Sequence, residues 1–281
     1  MENLEPFDPQ NFDPHASLFM QALCQMSLQA GQLIMDHYRD GVATETKSDK
    51  SPVTQADRDA EHLLEQELAV LAPGIQVIGE EACSIALPEK MQDYFFLLDP
   101  LDGTRDFIAK GKDFTVNIGL IHNHKPIAGV IYAPVHEKLY FSGDSAAYLI
   151  HIAPDGVLDM SQAQALRVPE MDPTGLRVLA SAKHRAKETD ELITQLHVKE
   201  LVGASSSYKF CLLAEGKADL YPRHGRTMEW DTAAGQAILE AAGGIVTQTD
   251  DTPLTYAKLE RGLDNPSFIA ATTRNWQDAR K

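Results

Sequence analysis

Apolar residues in the first quarter of the chain recur at helical spacing. This pattern predicts one helix from Ala16 to about Arg39, ended by Asp40-Gly41, and a second from about Thr54 to Leu71, ended by Pro73-Gly74. The polar stretch from Thr44 to Pro52 lies between them and is expected to form a loop or a hairpin. Two amphipathic helices joined by a polar connection are therefore expected near the start of the chain.

The rest of the chain alternates short apolar runs, which predict strands, with further helical patterns. The predicted strands are Gln76–Gly79, Tyr94–Leu98, Phe114–Ile121, Ile127–Tyr132, Lys138–Ser142, Arg177–Ala180, Glu200–Val202, Ala218–Tyr221, Gly244–Thr247 and Phe268–Ala271. The predicted helices are about Glu188–Leu196, Ser207–Glu215 and Thr232–Ala242. Helices packed on mixed sheets give an α/β or α+β layered fold.

The domain organisation is less strongly marked in the sequence. A length of 281 residues fits one large domain or two tightly joined halves. We expect residues 1–14 to form a loose N-terminal tail and residues 15–281 to form a single domain with two subdomains, about 15–160 and 161–281. The internal boundary is indicated by the turn-forming residues Pro154, Asp155, Gly156 and Pro173.

Composition narrows the functions that the chain can have. Its formal net charge is −16 at pH 7, which argues against general nucleic-acid binding, because that requires an excess of Lys and Arg. An acidic protein can still bind a small anion where metal ions and a few local cations reverse the sign of the charge.

The cysteines and the N-terminal residues indicate the cellular compartment in which the protein is expected. Three cysteines without a C-x-x-C pair are typical of buried thiols in a reducing environment. The N-terminus lacks the basic start and apolar run of a signal peptide, and no segment approaches the roughly 20 apolar residues that span a bilayer. We therefore expect a cytoplasmic protein without an integral membrane segment.

The segment from Leu97 to Asp106 carries the most informative polar pattern. An apolar strand leads into Asp99, and Pro100 keeps the following backbone out of a helix. Asp99 and Asp102 can then face one point, with the carbonyl of Leu101 between them, as ligands that Mg²⁺ accepts. The alternative is an ordinary polar turn.

Further carboxylates end other apolar runs or begin helices. Glu80 and Glu81 follow a strand, Asp231 is expected at the N-cap of a helix of small residues, and Asp57 lies in the first turn of the second helix. Capping and the helix dipole would explain Asp231 and Asp57 individually. Together, the carboxylates indicate a metal site.

Three motifs resemble a known group of enzymes. Glu80-Glu81, DPLDGT at 99–104 and WDTAAG at 230–235 resemble the inositol monophosphatase superfamily of Mg²⁺-dependent, lithium-sensitive phosphatases, over about residues 20 to 272. The resemblance implies a layered αβαβα sandwich and hydrolysis by metal-activated water, without a covalent phospho-enzyme. It implies that two or three Mg²⁺ ions are held by Glu80, Asp99, the Leu101 carbonyl, Asp102 and Asp231. It also implies that Asp57 and Thr104 orient the attacking water, while Glu81 either supports the ligands or is solvated.

The segment from Ser205 to Arg223 bears on the substrate. A lysine in the first turn of a helix, Lys209, preceded by serines, would make an anion site from free amides, hydroxyls and one cation. Arg223 could add a second, bidentate cation. The alternative is a solvent-facing lysine and a surface arginine.

This segment and its flanks resemble the bacterial CysQ-type 3′(2′),5′-bisphosphate nucleotidases. The resemblance implies a small phosphate monoester as substrate, adenosine 3′,5′-bisphosphate, converted to AMP and phosphate in sulfur metabolism. It implies substrate contacts from Gly103, Ser206, Lys209, Arg223 and His184, although a surface position is the alternative for His184. It further implies a monomer or homodimer, and peripheral attachment to the inner membrane on resemblance alone.

Two other classes of function remain open. The first is a related phosphatase acting on inositol phosphate or a sugar bisphosphate. The second is a non-catalytic nucleotide or metal sensor on the same fold. A sensor would be expected to lose a metal ligand or the water-orienting pair, and the sequence retains both.

Overall fold

Two mixed β-sheets and the helices between and around them make up the fold. It is seen in a computed structural model that describes residues 12–15, 17–41, 44–46, 52–180 and 185–281. The helices are α1 (Ser17–Asp40), α2 (Gln55–Leu71), α3 (Glu80–Ile85), α4 (Thr104–Ile108), α5 (Lys187–Gln195), α6 (Tyr208–Ala214) and α7 (Ala233–Ala241). The strands are β1 (Thr44–Thr46), β2 (Pro52–Thr54), β3 (Gln76–Gly79), β4 (Tyr94–Asp102), β5 (Thr115–His122), β6 (Lys125–Ala133), β7 (Lys138–Ser142), β8 (Ala147–His151), β9 (Gln164–Leu166), β10 (Leu176–Leu179), β11 (Val198–Val202), β12 (Leu220–Arg223), β13 (Ile245–Gln248) and β14 (Phe268–Ala271).

The larger sheet has seven strands in the order β3-β4-β5-β6-β7-β8-β9, and the smaller has five in the order β11-β10-β12-β14-β13. In the larger sheet β3 and β4 are parallel and the following pairs are antiparallel. In the smaller sheet β10 is parallel to β11 and β12, while β14 is antiparallel to β12 and β13. Strands β1 and β2 form a separate antiparallel hairpin.

The helices alternate with the sheets in layers, as the hydrophobic clusters show. Helices α1 and α2 share one cluster with the larger sheet. Helices α6 and α7 share another with both sheets, so they form the central layer. Residues of α5 and Trp276 pack on the outer face of the smaller sheet. The predicted αβαβα sandwich is therefore confirmed.

Each predicted helix and strand is present, with bounds shifted by up to four residues. Strands β3, β7 and β14 have the predicted bounds. Helices α3 and α4 were not predicted, because five or six residues are too few for a helical period to show. Strands β8 and β9 were not predicted either. Strand β4 continues past the predicted end at Leu98 to Asp102, with an irregular register after Asp99.

The domain division stays a prediction. The chain passes from the larger to the smaller sheet between Leu166 and Leu176. Of the predicted N-terminal tail, residues 1–11 lie outside the described residues, whereas the ring of Phe12 packs edge-on against Phe19 at 4.9 Å. Among the helices that the structure describes, none combines the length and apolar character needed to cross a bilayer.

Candidate active site

The predicted water-orienting pair is joined by a hydrogen bond. Asp57 is only 2% exposed, and its Oδ2 accepts from the backbone amide and the hydroxyl of Thr54, at 2.8 and 2.7 Å. Its Oδ1 accepts from Thr104 Oγ1 at 3.0 Å, and that hydroxyl also lies 3.2 Å from the Leu101 carbonyl oxygen. The capping box of α2 thus fixes Asp57, which in turn fixes Thr104 at the first turn of α4.

The register of β3 and β4 brings the next carboxylates together. The strands are parallel with Gly79 opposite Leu98, so Glu80 and Asp99 follow at the same edge of the sheet. Asp99 is 1% exposed, and its Oδ1 accepts the Leu101 amide at 3.1 Å. The strand then ends at Asp102, whose Oδ2 accepts the amide of Ser207 at 2.5 Å.

Asp231 enters from the central helical layer, although not as the predicted N-cap. The N-cap of α7 is Thr232. Asp231 ends a 3₁₀ turn that precedes the helix, and its Oδ2 accepts backward from the Met228 amide at 2.8 Å. The prediction was wrong because a short 3₁₀ turn, which has no recognisable period, precedes α7.

Burial and mutual repulsion govern the charge of these carboxyl groups. Burial raises the pKa of Asp102 to about 6; Glu80 adds to this, while Lys209 and the Ser207 amide oppose it. Burial raises the pKa of Asp231 well above its ordinary range, and the charges of Asp102 and Glu80 raise it further. Glu80 and Asp102, which lie on two other elements, are therefore close enough to Asp231 to destabilise its ionised form.

The donor set has the chemistry of a Mg²⁺ site. In the described part of the chain, no group of three or more His, Cys, Asp and Glu side chains is arranged so that it could hold a metal ion. The predicted ligands nevertheless offer only oxygen, the donor that Mg²⁺ prefers. A divalent cation would also offset the repulsion that raises the pKa of Asp102 and Asp231. The residues present therefore fit Mg²⁺.

A cavity of about 180 Å³ joins the carboxylates to the predicted anion site. Asp102 and Asp231 line it together with Ser206, Lys209 and Arg223. Four residues with no predicted individual role complete much of the wall: Tyr221, Thr227, Thr232 and Phe268.

Lys209 is buried, so the alternative of a solvent-facing lysine is excluded. It is 5% exposed, its ammonium donates to the Ser206 carbonyl oxygen at 2.7 Å, and it lies 5.0 Å from the centre of the Tyr221 ring. Arg223 is partly exposed; its Nη2 donates to the Arg226 carbonyl oxygen at 3.1 Å. Its buried Nε has no partner among the described residues.

Three backbone amides around the start of α6 already have partners within the protein, so they do not contribute to the expected anion site. The Ser205 amide donates to Asp113, the Ser207 amide to Asp102 and the Tyr208 amide to Ser206 Oγ. The positive character of this corner therefore comes from the side chains of Lys209 and Arg223.

Ser206 adopts the left-handed backbone region, with φ of 51°. This conformation is uncommon for a residue other than glycine and clusters at functional sites. The Ser206 hydroxyl donates to the carbonyl oxygen of Asp113, which anchors the turn to the chain just before β5. The turn presents the Ser206 carbonyl to Lys209 and so satisfies a buried cation.

Two further residues, Gly103 and His184, were predicted to contact the substrate. Gly103 has φ of 95° and is the N-cap of α4, and a Cβ there would lie 3.2 Å from the Phe114 Cα, so both backbone and space require glycine. His184 falls within residues 181–184, outside the described residues.

Several residues that support the site carried little signal in the sequence. Ser207 Oγ donates to Asn117 Oδ1 at 2.6 Å and lies 2.7 Å from Thr115 Oγ1, which fastens the start of α6 to β5. Asn117 and Thr115 could have been found as polar residues inside an otherwise apolar strand. Glu61, which is buried on α2 and accepts two backbone amides of α3, could not have been found, because an acidic residue on an amphipathic helix normally faces solvent.

Comparison with known proteins places the chain. A model of the inositol monophosphatase family matches residues 16–279. The chain is 40% identical over 252 residues to the 3′(2′),5′-bisphosphate nucleotidase CysQ of Shigella flexneri. The matched region covers 89% of this chain and 98% of that protein. The CysQ of Escherichia coli K12 is 39% identical over the same length.

Solved structures agree with these matches. CysQ from Bacteroides thetaiotaomicron, a bacterial member of the inositol monophosphatase family, superposes with a TM-score of 0.74 at 36% identity, over 92% of this chain and 100% of that chain. A staphylococcal IMPase also has a TM-score of 0.74, over 94% of each chain, but at 17% identity it shows the fold alone. The match of the family model over nearly the whole chain, supported by relatives at about 40% identity, shows that this chain belongs to the inositol monophosphatase family.

Proposed function

We propose that this protein is a Mg²⁺-dependent phosphatase that converts adenosine 3′,5′-bisphosphate to AMP and phosphate. One observation carries the proposal: the carboxylates Asp102 and Asp231 and the cations Lys209 and Arg223 line the same cavity. The curated relatives at about 40% identity are 3′(2′),5′-bisphosphate nucleotidases, which supports the same substrate.

A substrate with two phosphates accounts for both halves of the cavity. The carboxylates require cations, so they serve the phosphate that is cleaved. Lys209 is held in place by a carbonyl oxygen and an aromatic ring, and its charge lowers the pKa of the nearby Asp102 and Asp113. A second phosphate on the substrate is negatively charged and accepts hydrogen bonds. It is therefore a suitable partner for the cationic donors Lys209 and Arg223. An inositol monophosphate would leave these cations without a role.

The residues of the chain would divide the reaction as follows. Glu80, Asp99, Asp102, Asp231 and the Leu101 carbonyl would hold Mg²⁺, which would supply Lewis-acid activation of water and charge neutralisation at the phosphoryl group. Thr104 donates its proton to Asp57, so its oxygen remains an acceptor that can orient the attacking water. Asp57, with two bonds to Thr54, is the carboxylate that can receive the water proton. The intact Asp57–Thr104 bond favours an enzyme over a sensor.

The resemblance to the family also suggests the number of metal ions, the oligomeric state and the compartment. We propose that two or three Mg²⁺ ions act together and that the chain works as a monomer or homodimer. We also propose that it works in the cytoplasm, which agrees with the buried free thiols of Cys24 and Cys211.

The proposal is tested by measuring phosphate release with Mg²⁺ from three substrates: adenosine 3′,5′-bisphosphate, inositol 1-phosphate and fructose 1,6-bisphosphate. We expect kcat/KM for the nucleotide to exceed the others by about 100-fold, or roughly 2.7 kcal/mol of transition-state binding. A preference for the inositol or sugar phosphate would overturn the assigned substrate.

Lys209→Met tests the second-phosphate site. Methionine keeps an apolar stem against Tyr221 but removes the charge. Since a hydrogen bond to a charged group contributes about 1.5–3 kcal/mol, KM for the bisphosphate should rise about 10- to 100-fold. KM for a simple monophosphate should change little. Lys187→Met is the matched control, because the Lys187 side chain is 86% exposed. An equal rise for both substrates would remove the second-phosphate role.

A further inference from the structure

A buried glutamate outside the predicted site holds the element that carries Glu80. Glu61 lies on α2 and is 4% exposed. Its Oε2 accepts the Glu81 amide at 2.8 Å and its Oε1 accepts the Ala82 amide at 2.7 Å. These are the first-turn amides of α3, which begins at Glu80. We infer that Glu61 is a positioning residue for the phosphatase reaction, because it fixes the turn that places Glu80 at the metal site.

Helix α3 is too short to be stable on its own. It is six residues long, and across those residues, all of which the structure describes, no side chain is buried. Cys83 packs partly against the hydrophobic cluster that contains Ile78 and Trp230. The two hydrogen bonds that the first-turn amides of α3 donate to Glu61 hold this turn against α2.

The backbone before α3 is shaped around this carboxylate. A Cβ built on Gly79 would lie 2.3 Å from the Glu61 Cδ and 2.5 Å from its Oε2. The end of β3 thus approaches the carboxylate more closely than any residue with a side chain could. This contact explains why glycine precedes Glu80, and it does not depend on any metal.

Helix α2 links this support to the water-orienting pair. Asp57 and Glu61 are four residues apart, so they lie on one face of the helix, one turn from each other. Asp57 accepts from Thr104 at 3.0 Å, and Glu61 accepts from the start of α3. One rigid helix therefore sets the distance between the pair that orients water and the acidic ligand at the end of β3.

Glu61→Gln and Gly79→Ala test the inference, which rests on the proposed Mg²⁺ site. In Glu61→Gln, the side chain offers one acceptor oxygen and one NH₂, so one α3 amide loses its acceptor. In Gly79→Ala, the new Cβ would displace the Glu61 carboxylate from its present position. We expect each variant to bind Mg²⁺ about 10- to 100-fold more weakly, which is the usual loss when a residue that supports a metal ligand is replaced. Binding is measured by calorimetry without substrate and as the Mg²⁺-induced rise in Tm. KM for the nucleotide at saturating Mg²⁺ should stay close to that of the parent.

Glu215→Gln is the matched control. Glu215 is a buried carboxylate that accepts from Lys138 and Tyr140, at 2.8 and 2.6 Å, so its loss perturbs stability without touching α3. Unchanged Mg²⁺ affinity in Glu61→Gln and Gly79→Ala, with only Tm lowered as in Glu215→Gln, would overturn the inference. Because calorimetry needs no substrate, weakened Mg²⁺ binding would uphold the role of Glu61 even if the parent failed to cleave any phosphate ester, a failure that concerns the proposed function alone.

Discussion

Asp99 is a buried carboxylate whose geometry is set by its own backbone. Its Oδ1 accepts the Leu101 amide at 3.1 Å, and the residue is 1% exposed. Asp99→Asn keeps an oxygen for that amide but removes the charge that a metal ion would require. We expect the fold to persist and kcat/KM to fall by at least about 100-fold, the upper end of the loss seen when a mere partner of a ligand is removed. Steady-state kinetics with Mg²⁺, together with Tm, measures both.

Asp159→Asn provides the comparison for this variant. Asp159 is exposed and its Oδ1 accepts from the Ser161 hydroxyl at 2.6 Å, far along the chain from the site motifs. It should leave kcat/KM unchanged. Near-parental turnover by Asp99→Asn would show that Asp99 has no essential part in the reaction.

At the level of single residues, local motifs predicted the acidic part of the site better than the cationic part. Asp99 and Asp102 are three positions apart, so the geometry of one strand end decides their proximity. The burial of Lys209 depends instead on Ser206, whose left-handed backbone turns a carbonyl toward the ammonium, and on the ring of Tyr221. The sequence pattern does not encode either contact, so burial and exposure of Lys209 could not be distinguished in advance.

The approach of α7 to the larger sheet sets where Asp231 lies, since Asp231 precedes that helix. Two glycines make the approach possible. A Cβ on Gly119 would lie 2.7 Å from the Ala233 Cβ, and one on Gly129 would lie 2.5 Å from the Ala234 carbonyl oxygen. A helix of small residues therefore packs directly on the backbone of β5 and β6.

Gly129→Ala should push α7 away from the sheet. Its new methyl group meets backbone atoms, which cannot rotate aside as a side chain can. Overpacking of this kind costs about 1–3 kcal/mol, or about 2–4 °C of Tm for each kcal/mol. We also expect kcat/KM to fall, because Asp231 moves with the helix. Gly203→Ala is the control: its Cβ meets nothing within 4 Å, so Tm should not fall. Equal Tm values for the two variants would contradict this packing argument.

Among the elements, those with a hydrophobic period were predictable and those held by specific hydrogen bonds were not. Helix α2 is long and amphipathic, so its apolar spacing predicted it. Helix α3 buries no side chain within its six described residues and is fixed by Glu61 from another helix. Such a contact joins positions about 20 residues apart through backbone amides, and backbone amides have no sequence signature.

Across the whole molecule, the site depends on contacts between layers. The amide of Ser207, at the start of α6, donates to Asp102 at the end of β4, while its hydroxyl donates to Asn117 on β5. Ser207 therefore couples the carboxylates of the larger sheet to the element that bears Lys209. The layered fold was predictable from the alternation of elements, but this bond between layers is set by their final packing.

Mg²⁺ should stabilise the whole chain and not only activate it. The molecule has a net charge of −16; the charge of Glu80 raises the pKa of Asp102, and the charges of Glu80 and Asp102 raise the pKa of Asp231. A ligand present at 100 times its Kd contributes about 2.7 kcal/mol to the folded state. Given about 2–4 °C for each kcal/mol, Mg²⁺ at that level should raise Tm by roughly 5–10 °C, and a chelator should reverse the rise.

Asp231→Asn separates specific binding from general screening of the negative charge. Asparagine can still accept the Met228 amide, but one of the repelling charges is gone. The variant should therefore have a higher Tm than the parent in chelator and a smaller rise on adding Mg²⁺. Na⁺ at matched ionic strength screens charge without filling a site, so it should reproduce little of the parental rise. If Na⁺ were as effective as Mg²⁺, or if Asp231→Asn kept the full response, the stabilisation would come from the surface charge and not from the cluster in the cavity.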